Sequence, residues 1–223
     1  MEDCHYHPRS RFGRLFDKFR PASGAATDTA SPARGEMRWL VVGLGNPGDQ
    51  YRRSRHNAGF MIIERLAASR GVELTKRKFN GSYGEARDGE AITMLAIPQT
   101  FYNRSGEFVA GLSGYFKVPL ERVIVVHDEM DLPTGRIRIK RGGGDAGNRG
   151  VRSIADALGK DFVRVRVGIG HPADDHGDID YVLRPLNRDE ACEFEPILDR
   201  AGEAVLALIR DGLERAMNQF NTR

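Results

Sequence analysis

Residues 38–71 read Arg38-Trp-Leu-Val-Val42-Gly43-Leu-Gly45-Asn46-Pro47-Gly48-Asp-Gln-Tyr51-Arg-Arg-Ser-Arg-His56-Asn57-Ala-Gly59-Phe-Met-Ile-Ile-Glu-Arg-Leu-Ala-Ala-Ser-Arg70-Gly71. The apolar run 38–42 predicts a buried strand. Phe60, Ile63, Leu66 and Ala67 recur at helical spacing across 58–70, and Gly71 closes that helix. A buried strand feeding a helix is the opening unit of an α/β sheet, and such sheets gather ligands at the carboxyl ends of their strands. The connecting loop brings Asn46 and His56 to that end. From Met37 on, the chain has only three other histidines: His127, His171 and His176. His56 is therefore the leading candidate for a general base that titrates near neutral pH.

Outward from this unit the pattern keeps alternating. Residues 82–86 and 91–97 read as a strand pair joined through Asp88-Gly89, a hairpin signal. A helix is expected over 105–116, a strand over 122–127, and an alternating strand over 136–140 with Ile137 and Ile139 inward. A helix follows over 151–158, then an alternating strand over 163–169 and a short strand over 181–183. A long helix runs from 189 to about 211, bent in its first turns by Pro196, and a last short helix ends near Phe220. The expected fold is α/β: a single domain over 37–223 with a central twisted mixed sheet flanked by helices. Residues 1–36 form a basic, low-complexity extension, small-residue and Pro/Gly rich over 21–35, and are expected to be disordered. They lack the apolar centre of a secretory signal, and Glu2 and Asp3 suit an organelle-targeting peptide poorly.

The 223 residues are 40% hydrophobic and 29% charged, the balance of an ordinary globular protein. No apolar run approaches a membrane span, so a cytoplasmic monomer without a membrane or stable protein partner is expected. Cys4 and Cys192 lie far apart with no Cys-x-x-Cys pattern, which points to a reducing compartment without a zinc module or disulfide scaffold. Net charge is only +3, but it is unevenly spread. Residues 51–78 hold eight Lys/Arg against two acids, and residues 136–166 hold nine against three. Residues 172–199 reverse the balance, with two against nine. Two basic stretches flanking the candidate site suggest an anionic partner such as nucleic acid; a solvated surface with segregated charge is the alternative.

Gly43-Leu-Gly45-Asn46-Pro47-Gly48 matches the dinucleotide pattern G-x-G-x-x-G, yet its mechanics do not. There the third glycine opens a helix whose N-terminus holds pyrophosphate, and an acidic ribose ligand lies about 20 residues on. Here Pro47-Gly48-Asp49 makes a turn, the helix starts near Asn57, and that acid is missing. The loop reads better as a device that fixes Asn46 at the strand end. His127-Asp128-Glu129-Met130-Asp131 follows another buried strand, so Asp128 emerges at the same edge, where a carboxylate can hold an imidazole's tautomer. A turn cap is the plainer role for Asp128. Metal binding there is disfavoured because neighbouring strand residues point to opposite faces; His171, Asp174, Asp175, His176 and Asp178 read as a solvated acidic loop. Asn103 or Ser105 suits a helix N-cap. The loop Arg141-Gly142-Gly143-Gly144-Asp145-Ala146-Gly147-Asn148-Arg149-Gly150 suits either phosphate binding or a flexible connection. No G-x-S-x-G, plausible cysteine nucleophile or P-loop lysine is present, which leaves water activated by histidine.

Together these segments resemble the bacterial-type peptidyl-tRNA hydrolase family. The matches run in order: V-G-L-G-N-P-G at 42–48, Y-x-x-x-R-H-N-x-G at 51–59, T-F-x-N-x-S-G at 100–106, H-D-E-x-D-L-P-x-G at 127–135, the triple glycine at 142–144, and R-x-R-x-G-I-G-H-P at 164–172. The resemblance implies metal-free and cofactor-free cleavage of the ester joining a peptide to the terminal ribose of tRNA. It implies that His56 activates water, that Asp128 holds it in its basic form, and that Asn46 senses the blocked amino group. Tyr51, Phe101 and Asn103 would line the site, and Lys140 and Arg166 would meet tRNA phosphates. Two departures stand out. Tyr102 replaces the family's usual methionine at the pocket wall, and the usual Gly-His-Asn-Gly ending of the glycine-rich loop is Gly147-Asn148-Arg149-Gly150. Arg149 then stands where a substrate-contacting asparagine is usual and shifts binding toward electrostatic contact. A different class of function is an RNA-binding protein that keeps this fold without hydrolysis.

Overall fold

The computed structural model describes residues 37–89, 91–172 and 177–222. The expected 1–36 extension and the residues Asp174, Asp175 and His176 lie outside them. One seven-stranded sheet organises the chain: β1 (Met37–Gly43), β2 (Lys76–Lys78), β3 (Gly81–Asp88), β4 (Ala91–Pro98), β5 (Val123–Glu129), β6 (Ile137–Arg141) and β7 (Val163–Gly168). Their spatial order is β2-β3-β4-β1-β5-β7-β6. The central four strands are parallel, and β2, β3 and β6 join as antiparallel edges. The sheet is mixed, as expected. The helices are α1 (Ala58–Ser69), α2 (Ser105–Phe116), α3 (Arg149–Leu158), α4 (Asp178–Leu183), α5 (Arg188–Asp211) and α6 (Leu213–Phe220). No described helix is long and apolar enough to cross a membrane.

Two cores sandwich the sheet. On one face Val41, Ile124, Val126 and Val165 pack against Ile62, Ile63 and Leu66 of α1 and against Leu198, Val205 and Leu208 of α5. On the other, Leu40, Val42, Val123 and Val125 pack against Phe108, Val109 and Leu112 of α2 and against Val151 and Ile154 of α3. The parallel strands are buried on both faces, which is why they read as unbroken apolar runs. Each fully buried Ile or Leu contributes about 1.5–3 kcal/mol.

The local sequence explains how α1 reaches the strand ends. A Cβ at Gly43 would collide with the Gly59 carbonyl, and one at Gly59 would strike the Leu44 backbone and the Val126 carbonyl. These glycines let the start of α1 lie against β1 and β5, as the Leu44 N–H to Val126 carbonyl bond also requires. Gly48 takes φ 113° in the following turn, a conformation open to glycine. The G-x-G-x-x-G match thus serves packing and turning.

Three expectations need correction. Residues 181–183 belong to the short helix α4, because an apolar run this short does not distinguish strand from helix. The all-cationic Lys76-Arg77-Lys78 forms an edge strand paired to β3 that no apolar period announced. Neither Asn103 nor Ser105 caps α2: Arg104 holds that position without a side-chain bond, and the Ser105 hydroxyl donates to the Tyr102 carbonyl. Helix α5 runs unbroken through Pro196 and opens with a capping box between Asn187 and Glu190. Cys4 lies outside the described residues.

Candidate active site

His56 sits in a single 3-10 turn, Arg55–Asn57, between the β1 loop and α1. Its neighbours in the chain anchor that turn from both sides. Arg55 is only 7% exposed. Its guanidinium lies 4.2 Å over the Tyr181 ring and donates to Glu190 Oε1 at 2.7 Å. Glu190 is pulled down to about 2, chiefly by hydrogen bonds from Arg184, against the opposing effect of burial, and then by Arg55. Asn57 is 2% exposed and clamps Asn46 twice: its Oδ1 accepts from the Asn46 backbone N–H at 2.8 Å, and its Nδ2 donates to the Asn46 carbonyl at 2.9 Å. Two anchors therefore fix the His56 turn and the neighbouring Asn46 backbone together.

Asp128 ends β5 and meets the turn from the sheet. Its Oδ2 accepts from His56 Nδ1 at 2.9 Å, and its side chain is 6% exposed against 16% for His56. An ionised carboxylate only accepts hydrogen bonds, so Nδ1 carries the proton and Nε2 keeps its lone pair. His127, the preceding residue, points to the other face of the sheet. It is fully buried and donates from Nδ1 to the Asp128 carbonyl at 2.7 Å. Burial pushes its pKa down to about 4, the nearby Asp128 opposing and Arg164 and Arg166 adding to the shift. Among the described residues, no group of three or more His, Cys, Asp or Glu side chains is gathered to hold a metal ion.

A cleft of about 570 Å³ is lined by Pro47, Arg77, Lys78, Asn80, Phe101 and Arg104 among others, so chain neighbours of Asn46 and Tyr102 form part of its wall while His56 and Asp128 do not. Phe101 is 72% exposed at its rim. Asn103 is exposed on a second 3-10 turn, Tyr102–Arg104, that leads into α2, and Tyr51 is half-buried in the loop after Gly48. Tyr102 and Asn148, the one expected at the pocket wall and the other in the glycine-rich loop, are bonded to each other. Tyr102 is 8% exposed, with its ring centroid 3.9 Å from that of His56 and its hydroxyl 3.2 Å from Asp128 Oδ1. Asn148 caps α3 through the Val151 N–H and donates to the Tyr102 hydroxyl at 2.5 Å.

The charge segregation seen along the chain partly cancels in space. Arg55 pairs with Glu190, and Arg65 with Glu195 and Asp199, so the acidic stretch neutralises part of the first basic one. Arg52, Arg53 and Arg77 stay exposed. The second basic stretch folds into a cationic sheet face instead: register pairs Arg138 with Arg166 and Lys140 with Arg164. Arg164 turns inward and donates to the Gly142 and Gly144 carbonyls, pinning the glycine-rich loop. Arg166 pairs with Glu129 at 2.9 Å. Burial, then Arg164 and Arg166, lower the proton affinity of Lys140. Arg149 is exposed on the first turn of α3. Lys140 and Arg166 thus share a basic edge of the sheet, on which Arg166 lies opposite His127. The Asn57 clamp and the Arg55 anchor went unassigned in the sequence; their only signal was adjacency to His56.

The peptidyl-tRNA hydrolase family model matches residues 40–223. The chain belongs to the peptidyl-tRNA hydrolase family. A peptidyl-tRNA hydrolase of Frankia casuarinae is 46% identical over 188 residues, covering 84% of this chain and 95% of that protein. One of Geotalea daltonii is 45% identical over 187 residues, covering 82% and 96%. The crystal structure of peptidyl-tRNA hydrolase from Acinetobacter baumannii superposes with a TM-score of 0.77 at 37% identity, covering 84% of this chain and 97% of that one. The mixed-sheet α/β fold expected from the sequence is the fold of this family, and the chain is a hydrolase.

Proposed function

We propose that the protein hydrolyses the ester joining a peptide to the terminal ribose of tRNA, with His56 as the base that activates water. The observation that carries this reading is the 2.9 Å bond from His56 Nδ1 to Asp128, which leaves Nε2 to accept a proton. Nε2 takes that proton as the water oxygen bonds to the ester carbonyl carbon. The carbon–oxygen bond to ribose then breaks, and the imidazolium returns the proton to the leaving ribose oxygen. One water enters; a peptide acid and a tRNA hydroxyl leave. The chemistry calls for no cofactor.

Asn46, clamped through its backbone by Asn57, presents its amide to the blocked amino group of the peptidyl residue. Phe101, Asn103 and Tyr51 border the peptide and the acceptor end. Lys140, Arg149 and Arg166 supply cations to tRNA phosphates, and an arriving phosphate relieves their mutual repulsion. We infer that the protein works as a monomer in the cytoplasm, where translation produces this substrate, without a stable protein partner.

Incubation with an N-acetyl-aminoacyl-tRNA tests the reading. Release of the acetylated amino acid by the native protein, lost in His56→Ala, is the expected result. Binding without cleavage by either protein overturns it in favour of an RNA-binding role.

A further inference from the structure

The two departures from the family pattern, far apart in sequence, touch each other beneath the catalytic pair. Asn148 Oδ1 is occupied by the Val151 N–H, which fixes the amide so that Nδ2 faces the Tyr102 hydroxyl. An amide nitrogen only donates, so the phenol oxygen accepts there, and its single proton goes to Asp128 Oδ1. The polarity of the chain of bonds is forced: Asn148 donates to Tyr102, Tyr102 donates to Asp128, and His56 donates to the other oxygen of Asp128. Gly150 leaves room for the phenol, since a Cβ there would press on the Tyr102 ring. On its other side that ring lies against His56.

We propose that Tyr102 and Asn148 are positioning residues that lock the Asp128 carboxylate and, through it and the stacked ring, the orientation of the His56 imidazole. This rests on His56 being the base. Both carboxylate oxygens are held by donors from different elements, the 3-10 turn before α1 and the one before α2, so the carboxylate cannot rotate away from Nδ1. Burial and the neighbouring Asp128 hold the Tyr102 phenol well above its usual titration range, so its proton stays in place throughout the working pH range. The charged surroundings are otherwise balanced: Glu129 is paired with Arg166, and His127 lies behind Asp128. The N-terminus of α3, where the glycine-rich loop ends, is thereby tied to the base.

Tyr102→Phe keeps the ring and deletes the hydroxyl. Asn148→Ser keeps a helix cap and deletes the amide that orients the phenol. Steady-state hydrolysis of N-acetyl-aminoacyl-tRNA across pH by these variants, their double variant and His56→Ala decides the matter. A donor on a carboxylate draws negative charge from it, so its loss favours the imidazolium and moves the acid limb of kcat/KM to higher pH. Tyr102→Phe is expected to lower kcat roughly tenfold at nearly unchanged KM with that upward shift. Asn148→Ser should give a smaller shift of the same sign, and no further shift when added to Tyr102→Phe. An unchanged kcat and pH profile in Tyr102→Phe, or a loss confined to KM, overturns the positioning role while inactive His56→Ala leaves the hydrolase reading standing. A fully active His56→Ala removes both.

Discussion

Two imidazoles flank Asp128, and the structure gives them opposite surroundings. His56 is bonded to the carboxylate through Nδ1 and keeps 16% of its side chain exposed. His127 lies on the interior side, bonded to the backbone carbonyl of the same residue and sealed from water. Residue type and distance to Asp128 do not separate them. Access does: a base must exchange protons with solvent, and burial that holds His127 near pH 4 also removes it from that exchange.

The sharpest way to break this contrast is His56→Ala, for which a loss of roughly 10²–10⁴-fold in single-turnover hydrolysis is expected. Comparable loss in His127→Asn at neutral pH would erase the distinction. Next in size is Arg55→Met. It removes the cation beneath the turn but leaves Glu190 bonded to Arg184. Urea unfolding should show about 1–2 kcal/mol less stability, discounted for the partial exposure of Glu190, and kcat should fall as the turn loosens. Full activity there would mean that the turn holds His56 without its anchor.

A third measurement concerns His127 alone. Its folded pKa of about 4 lies below the ordinary 6.5, so the unfolded chain binds a proton first. Stability falls as pH drops from about 6.5 to 4, by up to about 3 kcal/mol. His127→Asn should flatten that region of a stability–pH curve. Glu190, depressed to about 2, stabilises fully above its ordinary 4.5 and loses that contribution between about 4.5 and 2, a separate window. The smallest expected effect is that of Lys140→Gln on the basic edge. It should weaken tRNA binding, reduce the slope of log affinity against log salt by about one, and leave kcat alone. An unchanged slope would remove Lys140 from the phosphate contacts.

The meeting of His56 with Asp128 was legible because its signals are local. His56 and Asp128 each follow a buried strand at the same sheet edge, and Asn46 sits in a turn that glycine and proline announce. Tyr102 was placed at the pocket wall because its position in the chain says nothing of depth, and Asn148 was one polar residue in a glycine-rich loop. Their contact joins positions 46 residues apart. Arg55 and Arg65 counted as surface charge for the same reason, since their acidic partners lie more than 130 residues away on α5.

By itself the amino-acid order determined the α/β class, the family, and the strand ends at which His56 and Asp128 meet, since apolar periodicity and turn residues are properties of short stretches. Only the tertiary structure decided which histidine keeps access to solvent, which arginines are spent on internal carboxylates, and where the phenol proton of Tyr102 points. Those outcomes depend on burial and on donors meeting acceptors across the sheet, quantities that exist only once distant segments are packed together.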